Sequence, residues 1–271
     1  MTLYCGIDLH ANNSVVAVLD SDDTVRYEKR LANDLEVITS ALSPFAGEVV
    51  GAVVESTYNW YWLVDGLQDA GFKVHLANPS AICQYEGLKY SDDITDARHL
   101  ACLLRLGLLP EGHIYPREVR AVRDLLRRRM LLARQRTTQL LNLQSTIARH
   151  TGQRLSGSKI KPLDKAAIEA LLGTGPVALS AKVARIAMHA LDAAARQLES
   201  AAAAEFKNND SPRLLRTIPG VGQTLGLTIA VETEDIGRFP DAGHYASYAC
   251  LREVRKAFQG QSQRPREPQE R

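Results

Sequence analysis

The first eighty residues alternate between apolar runs and short polar breaks. Residues 3–9 (LYCGIDL), 14–20 (SVVAVLD) and 24–31 (TVRYEKRL) read as three strands. The polar breaks at 10–13 and 21–23 supply turns, so an antiparallel meander is predicted. Residues 33–43 have helical spacing. The Val-rich run 48–56 has the unbroken apolar character of a strand covered on both faces. A helix over 58–70 ends at Gly71, and 73–78 reads as a strand closed by Pro79. Ser91 or Asp92 is placed to cap a helix that stops near Leu109, just before Pro110. The predicted order is β-β-β-α-β-α-β-α, a mixed α/β domain.

From Arg117 to His150 the chain contains neither Pro nor Gly and keeps helical periodicity, which predicts one long helix or a helical pair. Val119, Val122, Leu125, Leu126, Leu132, Leu140, Leu143 and Ile147 fall on one side. Arg120, Arg123, Arg127, Arg128, Arg134 and Arg136 mark another. Residues 152–162 read as a loop. Helices are expected over 164–172 and over the Ala-rich stretch 176–207, the latter as a packed coiled segment. Residues 211–232 predict helix, Pro-Gly-Val-Gly hairpin, helix. Residues 237–251 predict a turn and a further short helix, and 259–271, with no apolar residue, are expected to be disordered.

Composition narrows the class. Apolar residues are 45% of the 271, enough for a globular core. No apolar run reaches the roughly 18 residues of a membrane span, and the first ten residues have no export-signal pattern, so a cytoplasmic protein with no membrane partner is expected. Cys5, Cys83, Cys102 and Cys250 fit no zinc spacing and read as ordinary thiols. The net charge of +2 conceals an asymmetry. Residues 1–112 hold seven Lys+Arg against sixteen Asp+Glu, a balance of −9. Residues 113–159 hold eleven against two, a balance of +9. A basic middle beside an acidic front suggests a polyanion-binding element joined to an acidic domain, although a solvated helix face would give the same charge pattern.

Four acids stand where chemistry is done. Asp8 and Glu55 lie at the ends of apolar strands, and Asp93 and Asp96 share one face of an early helical turn. Gathered in one cleft, such carboxylates repel unless cations neutralise them. Two Mg²⁺ ions would do so and would act on a phosphodiester. Separately, Asp8 could begin a turn, Glu55 could cap a helix, and Asp93 and Asp96 could serve a helix dipole. His10 and His99 read as surface or supporting residues. Gly220 and Gly222 permit positive φ, which would turn backbone N–H groups toward a phosphate. Tyr58, Trp60, Tyr61 and Trp62 read mostly as core, with one free to stack on a base.

GIDLH, VVEST, the D-x-x-D-A of Asp93, Asp96 and Ala97, and TIPGVGQTLGLTIAVETEDIGRF together resemble the DEDD-type transposases of insertion sequences, recombinases guided by a bridge RNA. The resemblance runs from about residue 3 to 251. It implies a RuvC-like domain of the ribonuclease H fold over 1–112, with Asp8, Glu55, Asp93 and Asp96 as a Mg²⁺-binding catalytic tetrad. It also implies a basic helical region over 113–207 and a partial C-terminal transposase domain over 208–258. DNA, a structured guide RNA and further copies of the chain are the implied partners. The six arginines with Gly220 and Gly222 form the implied nucleic-acid surface.

In this family a C-terminal serine is thought to attack DNA. Ser247 lies too early for it and Ser262 sits in a tail unlike the family's, so the chain reads as truncated, with full recombination lost. The abrupt change at 255–257 is the pattern a frameshift would leave. Three alternatives stay open: a RuvC-like structure-specific nuclease using water, a non-catalytic nucleic-acid-binding remnant, and a sugar-kinase-like ATPase fold. For the last, His10, Ala11 and Asn12 suit phosphate poorly.

Overall fold

Strands β1 (Leu3–Leu9) and β2 (Asn13–Asp20) are apolar at almost every position because the sheet they join is covered on both sides. The structure, a computed structural model, describes residues 1–82, 92–207, 210–249 and 251. It divides into two compact units, Met1–Tyr115 and the chain from Pro116 onward. The expectations placed on Cys83, Ser91, Cys250 and the tail 259–271 lie outside the described residues.

The first unit is a six-stranded sheet in the order β3-β2-β1-β4-β5-β6, with β3 (Val25–Ala32), β4 (Val49–Glu55), β5 (Val74–Ala77) and β6 (Glu111–Gly112). β1 to β3 form the expected antiparallel meander, and β4 and β5 add in parallel beside β1. The antiparallel edge β6 was not anticipated, since two residues are too few to show alternation. On the opposite edge, β3 is charged and mostly exposed, which discourages pairing with another chain.

Alternate residues select the covering helices. Ile7, Leu9, Val16, Val18, Ala52 and Val54 face α1 (Leu35–Leu42) and α2 (Tyr61–Asp69), where Ile38, Leu42, Leu63 and Leu67 are fully buried. α1 starts at Asp34, whose carboxylate accepts from the Glu36 and Val37 amides at 2.8 and 3.2 Å. After the short α3 (Pro79–Ile82), α4 (Asp93–Arg105) covers the other face. Its Leu100 and Leu103 pack on Val53 and Ala77, and its Ala97 packs on Val15 and Ala17. The approach is closest at Gly6, where a Cβ would stand 2.0 Å from the Ala97 carbonyl oxygen. Only glycine lets α4 lie directly on β1. This mixed sheet with its helices is consistent with a ribonuclease H-like domain.

In the second unit, α5 (Arg117–Thr151) is one unbroken helix, stopped by Gly152 at φ 73°. The predicted loop after it contains a helical turn, α6 (Gly157–Ile160), formed because fully buried Ile160 packs against Leu143, Ile147 and Ile168. α7 (Lys165–Leu172) and α8 (Pro176–Glu205) follow. α8 runs antiparallel to α5: Arg129 meets Glu199, and seven residues further along α5, Arg136 meets Asp192. α9 (Ser211–Leu215), α10 (Gln223–Thr233) and α11 (Ala242–Tyr248) complete the unit. Val122 and Leu126 of α5 pack with Ala202, Leu227 and Val231. No described helix is long and apolar enough to cross a membrane.

Candidate active site

Strand parity sets the site. Gly6 faces α4, so Asp8, two residues on, faces the same way. Val53 packs with the α4 leucines, so Glu55 also points to that side. Asp92 caps α4 by accepting from the Thr95 hydroxyl at 2.5 Å and the Thr95 amide at 2.6 Å, and these hydrogen bonds, the hydroxyl's first, hold its carboxyl below the usual range. The cap fixes the first turn, which presents Asp93 and Asp96 one above the other.

Asp8 is the centre of the arrangement and is only 3% exposed. Burial first, then the negative charge of Glu55, a hydrogen bond shared with Glu55, and the charge of Asp96 raise its pKa to about 7; His10 opposes the rise. Asp8, Glu55 and Asp96 are therefore near neighbours. Asp93 joins through a different residue: His10 Nε2 lies 3.1 Å from Asp8 Oδ2 and 3.4 Å from Asp93 Oδ2. Asp93 also accepts from Arg30 of β3, chiefly for which reason its carboxyl titrates below the usual range. Arg30 is steadied by Asn13 Oδ1 at 2.6 Å. The loop carrying His10 is pinned by its own carbonyl, which accepts from the Asn33 and Asn59 amides at 2.9 and 3.2 Å.

The donor set fits a divalent cation. Carboxylates suit hard ions, and Asp8 Oδ2 is a buried oxygen with no hydrogen-bond partner. One donor atom each from Asp8, His10 and Asp93 lies within 4.8 Å of the other two.

The candidate nucleic-acid residues of the second unit divide differently. Arg120 is 3% exposed. Arg123 and Arg127 both hydrogen-bond Glu232 of α10, at 2.9 and 2.8 Å, and Arg136 pairs with Asp192 at 2.5 Å. The single arginine face expected from the sequence is thus divided: Arg120 is buried, and Arg123, Arg127 and Arg136 meet acids on neighbouring helices. Arg128 and Arg134 stay exposed; Arg134 reaches the Met130 sulfur at 3.8 Å, a weak acceptor. Gly220 has φ 88°, in a turn closed by the Val221 amide on the Ile218 carbonyl at 3.0 Å. Gly222 has ordinary φ −80° and precedes α10 as its N-cap, with no side-chain cap.

A family model described as a transposase, of the DEDD type and IS110 group, matches residues 5–151, more than half the chain. The chain belongs to the IS110-type DEDD transposases. A second model, Transposase IS116/IS110/IS902 family, matches residues 212–266. That second match runs past Leu251, where the residues alone had the resemblance stop, and it spans Ser262. No curated protein matches the chain.

For this DEDD transposase the residues that sequence reasoning undervalued are His10, Arg30, Asn33 and Asn59. His10 had a usable signal, being two positions past Asp8 in one strand-end segment. The other three reach the site through tertiary folding, which local spacing does not encode. Of the aromatic group, Trp60 is core, Tyr61 and Trp62 pack against it, and Tyr58 is 84% exposed.

Proposed function

We propose that this IS110-type transposase acts on DNA strands with a RuvC-like Mg²⁺-dependent cleavage site built from Asp8, Glu55, Asp93 and Asp96, while complete strand exchange is lost with the family's serine. One observation carries the reading: Asp8 is buried beside Glu55 and Asp96, with a pKa raised to about 7 by burial and by those charges. Carboxylates crowded without compensation are costly for folding, and a site shaped for cations explains their retention. Divalent ions bound there would supply Lewis acidity and an activated nucleophile for phosphodiester chemistry. Asp8 and Glu55 hold the position at the strand ends. Arg30 and His10 fix the Asp93 carboxylate, and the Asp92 cap fixes the turn that carries Asp93 and Asp96.

The helical unit is read as the nucleic-acid grip. Arg128 and Arg134 are exposed on α5, and the uncapped first turn of α10 behind Gly220 and Gly222 offers backbone amides to phosphate as a helix-hairpin-helix would. The basic balance of 113–159 suits a structured guide RNA as well as DNA. Exposed Leu179, Val183 and Ile186 form one stripe on α8, which suits a homo-oligomer. The test is cleavage of DNA by the purified chain with and without Mg²⁺. Cleavage should require the ion and fall at least about a hundredfold in Asp8→Asn, the scale of losing several kcal/mol of transition-state stabilisation. Cleavage unchanged by that substitution rules the site out.

A further inference from the structure

The imidazole of His10 faces two of the proposed ion-binding carboxylates at ligand spacing. Donor atoms in adjacent positions of an octahedral site with bonds of about 2.1 Å stand about 3.0 Å apart. His10 Nε2 stands 3.1 Å from Asp8 Oδ2 and 3.4 Å from Asp93 Oδ2. The ring is half exposed, yet its Nε2 is sealed from solvent, and neither it nor Asp8 Oδ2 has a hydrogen-bond partner. A nitrogen and an oxygen so close, both buried and neither satisfied by the other, point at a common third atom. Arg30 does not close the site, because the Asp93 oxygen that it contacts has a second lone pair. The Asn33 and Asn59 hydrogen bonds to the His10 carbonyl hold the residue in place before any ion arrives.

We propose that His10 is itself a metal ligand, completing with Asp8 and Asp93 a mixed nitrogen–oxygen seat that prefers Mn²⁺ or Co²⁺ to Mg²⁺. The proposal rests on the acidic-site reading above and goes beyond a carboxylate-only tetrad. Imidazole is a softer donor than carboxylate, and affinity for a nitrogen-containing site rises through the first-row ions, while Mg²⁺ favours oxygen and water. The seat therefore distinguishes ions that an all-oxygen tetrad would treat more alike.

The direct measurement is pulsed electron paramagnetic resonance of Mn²⁺ bound to the purified full chain, in which a coordinated imidazole imprints nitrogen modulation on the echo decay. The expected result is one imidazole nitrogen in the wild type. In His10→Ala the modulation should vanish while Mn²⁺ still binds, about tenfold more weakly, and Mg²⁺ affinity should change less. His10→Asp, which restores an oxygen donor, should bind Mn²⁺ without the modulation and should narrow the Mn²⁺-to-Mg²⁺ preference. Mn²⁺ bound to the wild type with no nitrogen signal overturns the proposal but leaves the carboxylate site standing. A nitrogen signal that persists in His10→Ala does the same. Mn²⁺ binding that is unchanged in Asp8→Asn overturns both this inference and the acidic-site reading.

Discussion

The two units treat ionised side chains in opposite ways. In the helical unit four arginines of α5 meet acids from other helices: Arg123 and Arg127 with Glu232, Arg129 with Glu199, Arg136 with Asp192. Burial pushes the Glu232 carboxyl up, but the hydrogen bonds from Arg127 and Arg123 outweigh it and hold the carboxyl below its usual range. In the sheet unit the edges follow the same rule, with Arg26 on Asp20 and Arg98 on Glu28. At the ends of β1 and β4 the rule is broken, because Asp8 is buried among acids. The ion pairs named here neutralise charge where it supports the fold, whereas around Asp8 acidic charge is left in excess. That place is legible as a site because the rest of the molecule shows what ordinary pairing looks like.

The largest expected effect comes from the contact that builds the site. In Gly6→Val the side chain would overlap the α4 backbone, which cannot move without separating Ala97 from Val15 and Ala17. Overpacking against backbone should cost more than about 3 kcal/mol, with loss of the cooperative thermal transition of the first unit. A well-folded Gly6→Val protein would show that α4 does not lie where the site requires it. Next in size is Glu232→Gln, which removes the carboxylate charge that Arg123 and Arg127 share. Stability should fall by about 1–3 kcal/mol in urea titrations, and low-salt affinity for DNA should rise as the two guanidiniums become available. If stability is unchanged, the helical unit does not depend on pairing as the comparison holds.

Much of this organisation was readable from the chain. The apolar runs gave β1, β2 and β4, because a strand covered on both faces must be largely apolar, and the polar breaks between shorter runs marked β3 and β5. Asp8 and Glu55 stood out as acids ending such runs. The partners did not stand out. Arg30 and Asp93 are far apart in sequence, and so are Arg123 and Glu232; helical period says which face a residue is on, but not which distant acid meets it. For the same reason the arginines of α5 read as one side of the helix, although Arg120 is buried and Arg123, Arg127 and Arg136 each meet an acid on another helix. Glycine permits positive φ without requiring it, and of the two hairpin glycines Gly220 uses it while Gly222 does not.

A smaller effect separates the units by pH. Asp8 has a folded-state pKa of about 7 against an ordinary value near 3.8. Between these values the folded protein keeps a proton that the unfolded chain has lost. Its contribution is thus fully present below about pH 4 and is lost as pH rises through 7. In the absence of divalent ions the wild type should lose a few degrees of melting temperature between pH 5 and 8, and Asp8→Asn should lose less. At pH 8, added Mg²⁺ or Mn²⁺ should restore the wild type by mass action and leave Asp8→Asn unmoved. Identical pH profiles for the two proteins would mean that Asp8 is not the strained group.

The smallest effect on stability should accompany a clear effect on binding. Arg128 and Arg134 lie on the exposed side of α5, and Arg128 makes no ion pair among the described residues. Replacing both with Gln removes two cations that hold nothing together, so unfolding should shift by less than about 0.5 kcal/mol. If these two meet phosphates, the slope of log affinity for duplex DNA against log salt should become shallower by about 1.8, the counterions released by two contacts. Equivalent substitution of Arg123 and Arg127 should do the reverse, costing stability and changing the slope less, because both guanidiniums are already engaged by Glu232. A slope insensitive to Arg128 and Arg134 would move the nucleic-acid surface off this face of α5, while the pairing pattern around Glu232 would remain a matter of folding alone.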